Sequence, residues 1–221
     1  MNIEDDSKII LKFGIFSILI FIIILLFIFF NNCDTNIAYI NPNYFYDEWF
    51  ENLEYRTIDN RLFGLENWIS IRYEINSNYT TYLTITTIKT LVLLDENELS
   101  NNIEDIIDSM LDNGIILDKN SKIKGERFLR NGHKSIYYIF DGLNNKIKPN
   151  EKVKIIVEIW NCGIECKTII SLGYSQITDN YHNNSNSNSV YWKKIVGDKV
   201  GTFGEDEYIR DDGLIYNIIC H

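Results

Sequence analysis

The feature that most constrains this chain is an apolar run near its N-terminus. Residues 13–30, FGIFSILIFIIILLFIFF, contain no charged side chain, and only Gly14 and Ser17 are not strongly apolar. A helix of this length spans about 27 Å, close to the thickness of a hydrocarbon core. The run is longer than the apolar part of a signal peptide, and no small-residue cleavage site follows it. The sequence therefore predicts an uncleaved, single-pass transmembrane helix, a signal-anchor, that contacts the lipid bilayer.

Basic residues near the run predict its orientation. Lys8 and Lys12 precede it, and the next basic residue is Arg56. Positively charged residues favour the cytoplasmic side of a membrane span. We therefore expect a cytoplasmic N-terminus at residues 1–12, and we expect the C-terminal part of the chain to lie outside the cell membrane.

The charge of the chain excludes one class of partner. The formal net charge is −10 at pH 7, whereas nucleic acids attract basic surfaces, so we expect no nucleic-acid partner. The acidic segment 198–212 carries the oxygen ligands that calcium prefers. It lacks EF-hand spacing and contains Lys199 and Arg210. We interpret it as a solvated loop, and we expect no cofactor.

Hydrophobic periodicity predicts the elements of the remaining chain. A tether and aromatic-rich segment at 31–65 precedes an extracytoplasmic domain at 66–221. Strand-like alternation marks residues 67–75 and 81–94, and apolar residues at helical spacing follow over 96–112. The strands, helices and turns predicted farther on include a hairpin at Asn131-Gly132, a strand pair joined across the cysteines, the helix VYWKKIV and a last strand in GLIYNIICH. The predicted fold class is α+β, with the transmembrane helix followed by one antiparallel sheet flanked by helices.

The order of these elements resembles that of the PsbP-like family over residues 66–196. The resemblance is carried by ENWISIRYEI, YLTITTIKTL, the helix 96–112, the pair IKGERF and NGHKSIYYIF, and VYWKKIV. It implies an α/β/α sandwich, and it implies no catalytic motif. The segments GERFLRNGHKS, EIWNC, WKKIV and GLIYNIICH are also similar to those of uncharacterised single-pass membrane proteins of archaea.

Two cysteines, Cys162 and Cys166, bracket a predicted tight turn. Cysteines outside the membrane tend to be oxidised. If Cys162 ends one strand and Cys166 begins the next, their α-carbons lie within disulfide range. We expect a Cys162–Cys166 disulfide, with a Cys162–Cys220 disulfide as the alternative.

The same cysteines are also candidate metal ligands. Cys162, Cys166, Cys220 and His221 carry thiol and imidazole groups that suit zinc, but their spacing matches no standard zinc pattern. We rank this metal site below the disulfide and below free thiols. A redox catalyst ranks last, because C-x₃-C is not the C-x-x-C motif of thioredoxin-like enzymes.

His133 is a candidate general base. His133 would need a nucleophile and an acid as a general base, and Ser135 and Glu126 are the nearest candidates, but no nucleophile motif surrounds them. We interpret His133 as a turn-stabilising residue.

Asn78 and Asn183 begin glycosylation sequons on predicted loops.

Cys33 follows the apolar run, and Asn32 stands where a lipobox would have a small residue. We therefore interpret Cys33 as an incidental or intermolecular cysteine rather than a lipid attachment site.

No nucleophile, base and orienting group can be assembled from recognisable spacing. The sequence therefore favours a membrane-anchored, non-enzymatic domain that binds a protein or small-ligand partner at the cell surface. The alternative is an extracytoplasmic hydrolase or thiol-redox enzyme.

Overall fold

A computed structural model provides the structure of the chain in two units, residues 1–35 and 36–221. The described residues are 14–24, 36–45, 49–61, 66–90, 93–112, 114–146, 151–163, 166–177, 187–197 and 213–221. In the first unit, residues 14–24 form helix α1. Within the described ranges, no helix has both the length and the apolar character needed to cross a membrane.

The second unit is built from antiparallel strands. Its helices are α2 (Glu96–Asp112) and α3 (Ser187–Val196). Its strands are β1 (Tyr39–Ile40), β2 (Trp49–Glu51), β3 (Thr57–Arg61), β4 (Glu66–Ile75), β5 (Thr81–Lys89), β6 (Ile115–Leu117), β7 (Ile123–Phe128), β8 (Lys134–Asn144), β9 (Glu151–Cys162), β10 (Lys167–Gln176) and β11 (Ile218–Ile219).

Nine of these strands form one sheet in the order β2-β4-β5-β10-β9-β8-β6. Strand β3 also pairs with β4, and β7 also pairs with β8. Strands β1 and β11 form a separate two-stranded antiparallel sheet. The long central strands β8, β9 and β10 are rich in isoleucine, valine and aromatic residues, which favour pleated, buried strands.

The predicted α+β fold class is wrong in its proportions of strand and helix. The described residues are mostly antiparallel strand, so an α+β PsbP-like α/β/α sandwich is not the observed fold. Of the predicted span 13–30, the structure describes residues 14–24, which cover about 16 Å at helical rise, about half of a hydrocarbon core. The remaining positions of that span lie outside the described residues.

The two faces of the large sheet carry separate hydrophobic cores. Along β9, Ile156, Trp160 and Cys162 belong to the first core, whereas Ile155 and Val157 belong to the second core, on the opposite face. This alternation follows from the pleat, which turns successive side chains to opposite faces. Helix α3 and the segment around β11 contribute to the first core, and helix α2 contributes to the second.

Local signals for α2 and the hairpins are confirmed. The Asp95 carboxylate accepts hydrogen bonds from the backbone N–H groups of Asn97 and Glu98, at 2.8 and 2.9 Å. The Glu98 carboxylate accepts the N–H of Asp95 at 2.8 Å, which completes the predicted capping box. The hairpin at Asn131-Gly132 joins β7 and β8, with Phe128 opposite Lys134.

The described residues of the predicted tether and aromatic-rich segment, 31–65, contribute strands to the second unit. Strands β2 and β3 both pair with β4, and β1 pairs with β11. The predicted last strand in GLIYNIICH is short, since only Ile218–Ile219 form β11 and residues 214–217 form turns. The pairing of β1 with β11 places the end of the chain on the first core.

A buried ion pair joins β7 to β9 on the face of the sheet that carries the first core. Arg127 donates to both carboxylate oxygens of Glu158, and the Nε–Oε1 distance is 2.7 Å. Ser135 donates a further hydrogen bond to the same carboxylate. Arg127 also donates to the carbonyl of Val196 at the end of α3. The carboxylate of Glu158 is 0% exposed, so these donors replace the water that it loses.

Candidate metal centre

Four side chains from three separate parts of the chain converge beside the first core. They are His133, Cys162, Cys220 and His221, and one ligand atom from each lies within 4.8 Å of the others. The set has two thiols and two imidazoles, which is a donor set that tetrahedral zinc prefers.

Cys162 reaches this point because it is the last residue of β9. Trp160 and Cys162 lie on the same face of the strand, two positions apart, and both are 0% exposed. The thiol of Cys162 therefore points into the first core and away from solvent.

His133 is brought to the centre by the turn between β7 and β8. Gly132 adopts a φ of 82°, a conformation that glycine takes readily, and the backbone N–H of Leu129 donates to the carbonyl of His133 at 2.9 Å. The side-chain oxygen of Asn131 accepts the backbone N–H of His133 at 3.1 Å. These bonds hold His133 at a defined place after the turn.

Asn131 also ties this turn to the end of the chain. Its side-chain amide nitrogen donates to the carbonyl of Ile218 at 3.2 Å and to the sulfur of Cys220 at 3.5 Å. The backbone N–H of Arg130 donates to the carbonyl of Tyr216, also at 3.2 Å. A hydrogen bond to a ligand sulfur is the kind of outer contact that orients metal ligands.

Two sulfur–nitrogen distances in the group are close to those found around a tetrahedral zinc ion. The Nδ1 atom of His221 lies 3.7 Å from the sulfur of Cys162 and 3.6 Å from the sulfur of Cys220. Zinc–sulfur and zinc–nitrogen bonds of about 2.3 and 2.0–2.1 Å at a tetrahedral angle separate a sulfur from a nitrogen by about 3.6 Å. The imidazoles of His133 and His221 meet edge to face, with ring centroids 5.5 Å apart.

The electrostatics of the pair of thiols favour a thiolate at one of them. The hydrogen bond with Cys220 is the largest influence on Cys162, and it lowers the pKa of the Cys162 thiol against the opposing effect of burial. The same hydrogen bond, together with burial, raises the pKa of the Cys220 thiol. The thiolate is the form that binds metal, so a lowered pKa of the Cys162 thiol suits a metal ligand.

One polar atom in the centre lacks a hydrogen bond. The Nε2 atom of His133 is buried and has no hydrogen-bond partner among the described residues. Burying an imidazole nitrogen without a partner costs free energy of folding, and coordination of a metal ion by this nitrogen would supply the missing partner.

The structure departs from the predicted disulfide. Cys162, Cys166 and Cys220 are thiols, and Cys166 is not part of the four-residue group. The strand register places Lys167, not Cys166, opposite Cys162, and Cys166 has a φ of 53° in the turn between the strands. The sulfur of Cys162 lies instead within 4.8 Å of that of Cys220, the partner given as the alternative.

The structure brings together three of the four predicted metal candidates and adds one. Cys162, Cys220 and His221 belong to the group, and His133 takes the place of Cys166. The two candidate neighbours considered for His133 have other partners, because Ser135 donates to Glu158 and Glu126 forms an exposed ion pair with Lys134. The Asn131-Gly132 turn marked His133 in the sequence, but no local signal pairs this turn with the end of the chain.

The remaining predicted sites have different outcomes. Asn78 is exposed in the turn between β4 and β5, where a sequon is accessible. Asn183, Cys33 and the acidic segment 198–212 lie outside the described residues.

Comparisons with known proteins give no relative from which a function could be transferred. No protein-family model, curated protein sequence or solved structure matches this chain. The resemblance to the PsbP-like family is untested by these comparisons and stays a prediction.

Proposed function

We propose that this chain is a non-enzymatic binding domain whose ligand is a zinc ion held by His133, Cys162, Cys220 and His221. The single observation that carries the proposal is the convergence of four ligand atoms within 4.8 Å of one another. Thiolate and imidazole ligands in a tetrahedral arrangement select zinc over the oxygen-preferring ions calcium and magnesium.

The role that fits this centre is structural. Four protein ligands complete the coordination of zinc, as in structural sites, whereas catalytic sites keep three protein ligands and an open position. The ion would join the turn between β7 and β8, the end of β9 and the residues after β11. Cys162 and Cys220 are 58 positions apart, so one ion would close a long loop.

The thiol-redox alternative is disfavoured by burial. The side chains of Cys162 and Cys220 are 0% and 1% exposed, so neither sulfur offers a surface that a protein disulfide could approach. A catalytic thiol needs access as well as a low pKa. The same burial suits metal ligands, which need no access once the ion is bound.

Zinc titration of the purified chain tests the proposal. The chain is freed of metal with a chelator under reducing conditions, then titrated with zinc against a chromophoric competitor. We expect one ion per chain and a rise in the melting temperature, because a ligand that binds only the folded state stabilises it.

Cysteine variants make the test specific. Cys162→Ser and Cys220→Ser should each weaken zinc binding and remove the rise in melting temperature, because serine is a poor zinc ligand. Cys166→Ser is the matched control, since Cys166 is outside the group, and it should bind zinc as the natural chain does. Equal loss in all three variants, or no zinc binding by the natural chain, would contradict the proposal.

A further inference from the structure

We infer that the coordination position filled by His221 is exchangeable, and that an external donor of the imidazole class enters it from an adjoining pocket. This inference rests on the proposed metal centre. It adds a second binding event, in which the bound ion accepts a ligand that is not part of this chain.

An open pocket reaches the centre at His221. Its volume is about 340 Å³, and its lining includes Asn36, Ile37, Tyr39, Cys220 and His221. Two of the four candidate ligands therefore form part of its wall. Cys220 is buried, whereas His221 is exposed, so the pocket approaches the ion on the side of His221.

The other three ligands are held more firmly. Cys162 is the end of a central strand that pairs with β8 and β10, and Cys220 is buried in the first core. His133 lies directly after a hydrogen-bonded turn, and its Nε2 atom is buried. His221 follows β11 and is the one exposed member of the group. Displacement of His221 from the ion would therefore disturb fewer packed side chains than displacement of any of the other three ligands.

The charge and shape of the position held by His221 indicate which class of external donor could replace its imidazole. A ring that replaces the His221 imidazole keeps both the donor atom and the shape of the original ligand. Two thiolates already neutralise a divalent ion, and the chain carries a net charge of −10, so a neutral donor is favoured over an anion. A pocket of about 340 Å³ is within the range of small-molecule sites, roughly 300–1,000 Å³, and accommodates one such ring.

Chemical rescue with cobalt as the probe ion tests the inference. Tetrahedral cobalt bound to thiolates has an intense visible spectrum, so it reports the ligand set directly. The full chain, the variant His221→Gly and the variant His133→Gly are each titrated with cobalt, in the absence and the presence of millimolar imidazole. His221→Gly alone should bind cobalt at least about tenfold more weakly than the natural chain.

The two variants should respond differently to imidazole. Imidazole should restore the cobalt affinity and spectrum of His221→Gly, because the pocket admits it to the vacant position. It should leave His133→Gly unrestored, because the Nε2 atom of His133 is buried and the described residues that line the pocket do not include His133. N-acetylhistidine amide replaces imidazole in a second arm; its success would show that the pocket accepts a histidine side chain, and its failure would restrict the donor to a small free ring.

Two results would overturn the inference. One is a His221→Gly variant that binds cobalt weakly and ignores imidazole, and the other is equal rescue of both variants. Neither result contradicts the proposed metal centre, which is tested separately by metal binding to the natural chain and to the cysteine variants.

Discussion

The sulfur of Cys162 lies 3.7 Å from Nδ1 of His221, across 59 positions of the chain. This contact joins the end of a central strand to a residue beyond the short strand β11. Its length equals, within 0.1 Å, the 3.6 Å contact between Cys220 and the same nitrogen. Both distances are close to the separation of about 3.6 Å between a sulfur and a nitrogen ligand of tetrahedral zinc.

Oxidation of the metal-free chain should produce a Cys162–Cys220 disulfide. The two ligand sulfurs lie within 4.8 Å of each other, and removal of zinc leaves them without an ion. Hydrogen peroxide would oxidise the two thiols to one disulfide, with loss of their two protons, and would itself be reduced to water. Closing a loop with a separation of 58 positions should stabilise the fold by about 4 kcal/mol before any strain.

Non-reducing peptide mapping, before and after loading with zinc, measures this disulfide. Bound zinc should protect both sulfurs from oxidation, and Cys166 should stay open to alkylation in both states. A peptide that links Cys162 to Cys166 would contradict the observed strand register.

Glu158→Gln should destabilise the fold far more than Glu126→Gln. The first change leaves the guanidinium of Arg127 buried without its charged partner, which typically costs about 3–5 kcal/mol. The second change removes an ion pair with Lys134 in which both side chains are about half exposed, and such pairs contribute about 1 kcal/mol or less. Urea denaturation of both variants checks the difference. Small and equal losses would mean that Glu158 is not buried with Arg127.

Stability should fall as the pH rises from about 10 to 12. Burial raises the pKa of Tyr73 and that of Tyr174 to about 12. Because each pKa is higher in the folded chain than in the unfolded chain, the stabilisation is complete below pH 10 and disappears as pH passes through the folded value. Each residue contributes at most about 3 kcal/mol to this change.

Denaturation at a series of alkaline pH values, with absorbance at the tyrosinate band, measures this effect. Tyr174→Phe should lose less stability over this pH interval than the natural chain, since phenylalanine has no proton to release. This variant also loses the hydrogen bond that Asn144 donates to the Tyr174 hydroxyl. The stability of each protein at alkaline pH is therefore compared with its own stability at neutral pH. An unchanged pH dependence in the variant would mean that Tyr174 ionises freely in the folded chain.

The parts of the fold that the sequence predicts are those with local causes. The α2 helix is marked by its apolar spacing and by the Asp95–Glu98 capping box, and the β7–β8 hairpin by Asn131-Gly132. The short strands β1 and β2 have no such signal, because two or three residues show no period and their pairing depends on distant partners. The order of hairpins and helices after residue 66 led to an α+β fold class, which the strand-rich described residues do not support.

The metal centre was predictable only in part. Cys162, Cys220 and His221 have the chemistry of zinc ligands, and this is visible in the sequence. His133 joins them because Asn131 bonds to Ile218 and Cys220, contacts that span 87 and 89 positions. A pattern search that expects paired ligands at short spacing cannot find a ligand contributed by a turn so far away.

X-ray absorption at the zinc edge of the loaded chain tests the central claim most directly. The centre proposed from His133, Cys162, Cys220 and His221 predicts a first shell of two sulfurs at about 2.3 Å and two nitrogens at about 2.0–2.1 Å. A shell of oxygen and nitrogen without sulfur, or one with three sulfurs, which the four proposed ligands cannot supply, would contradict it.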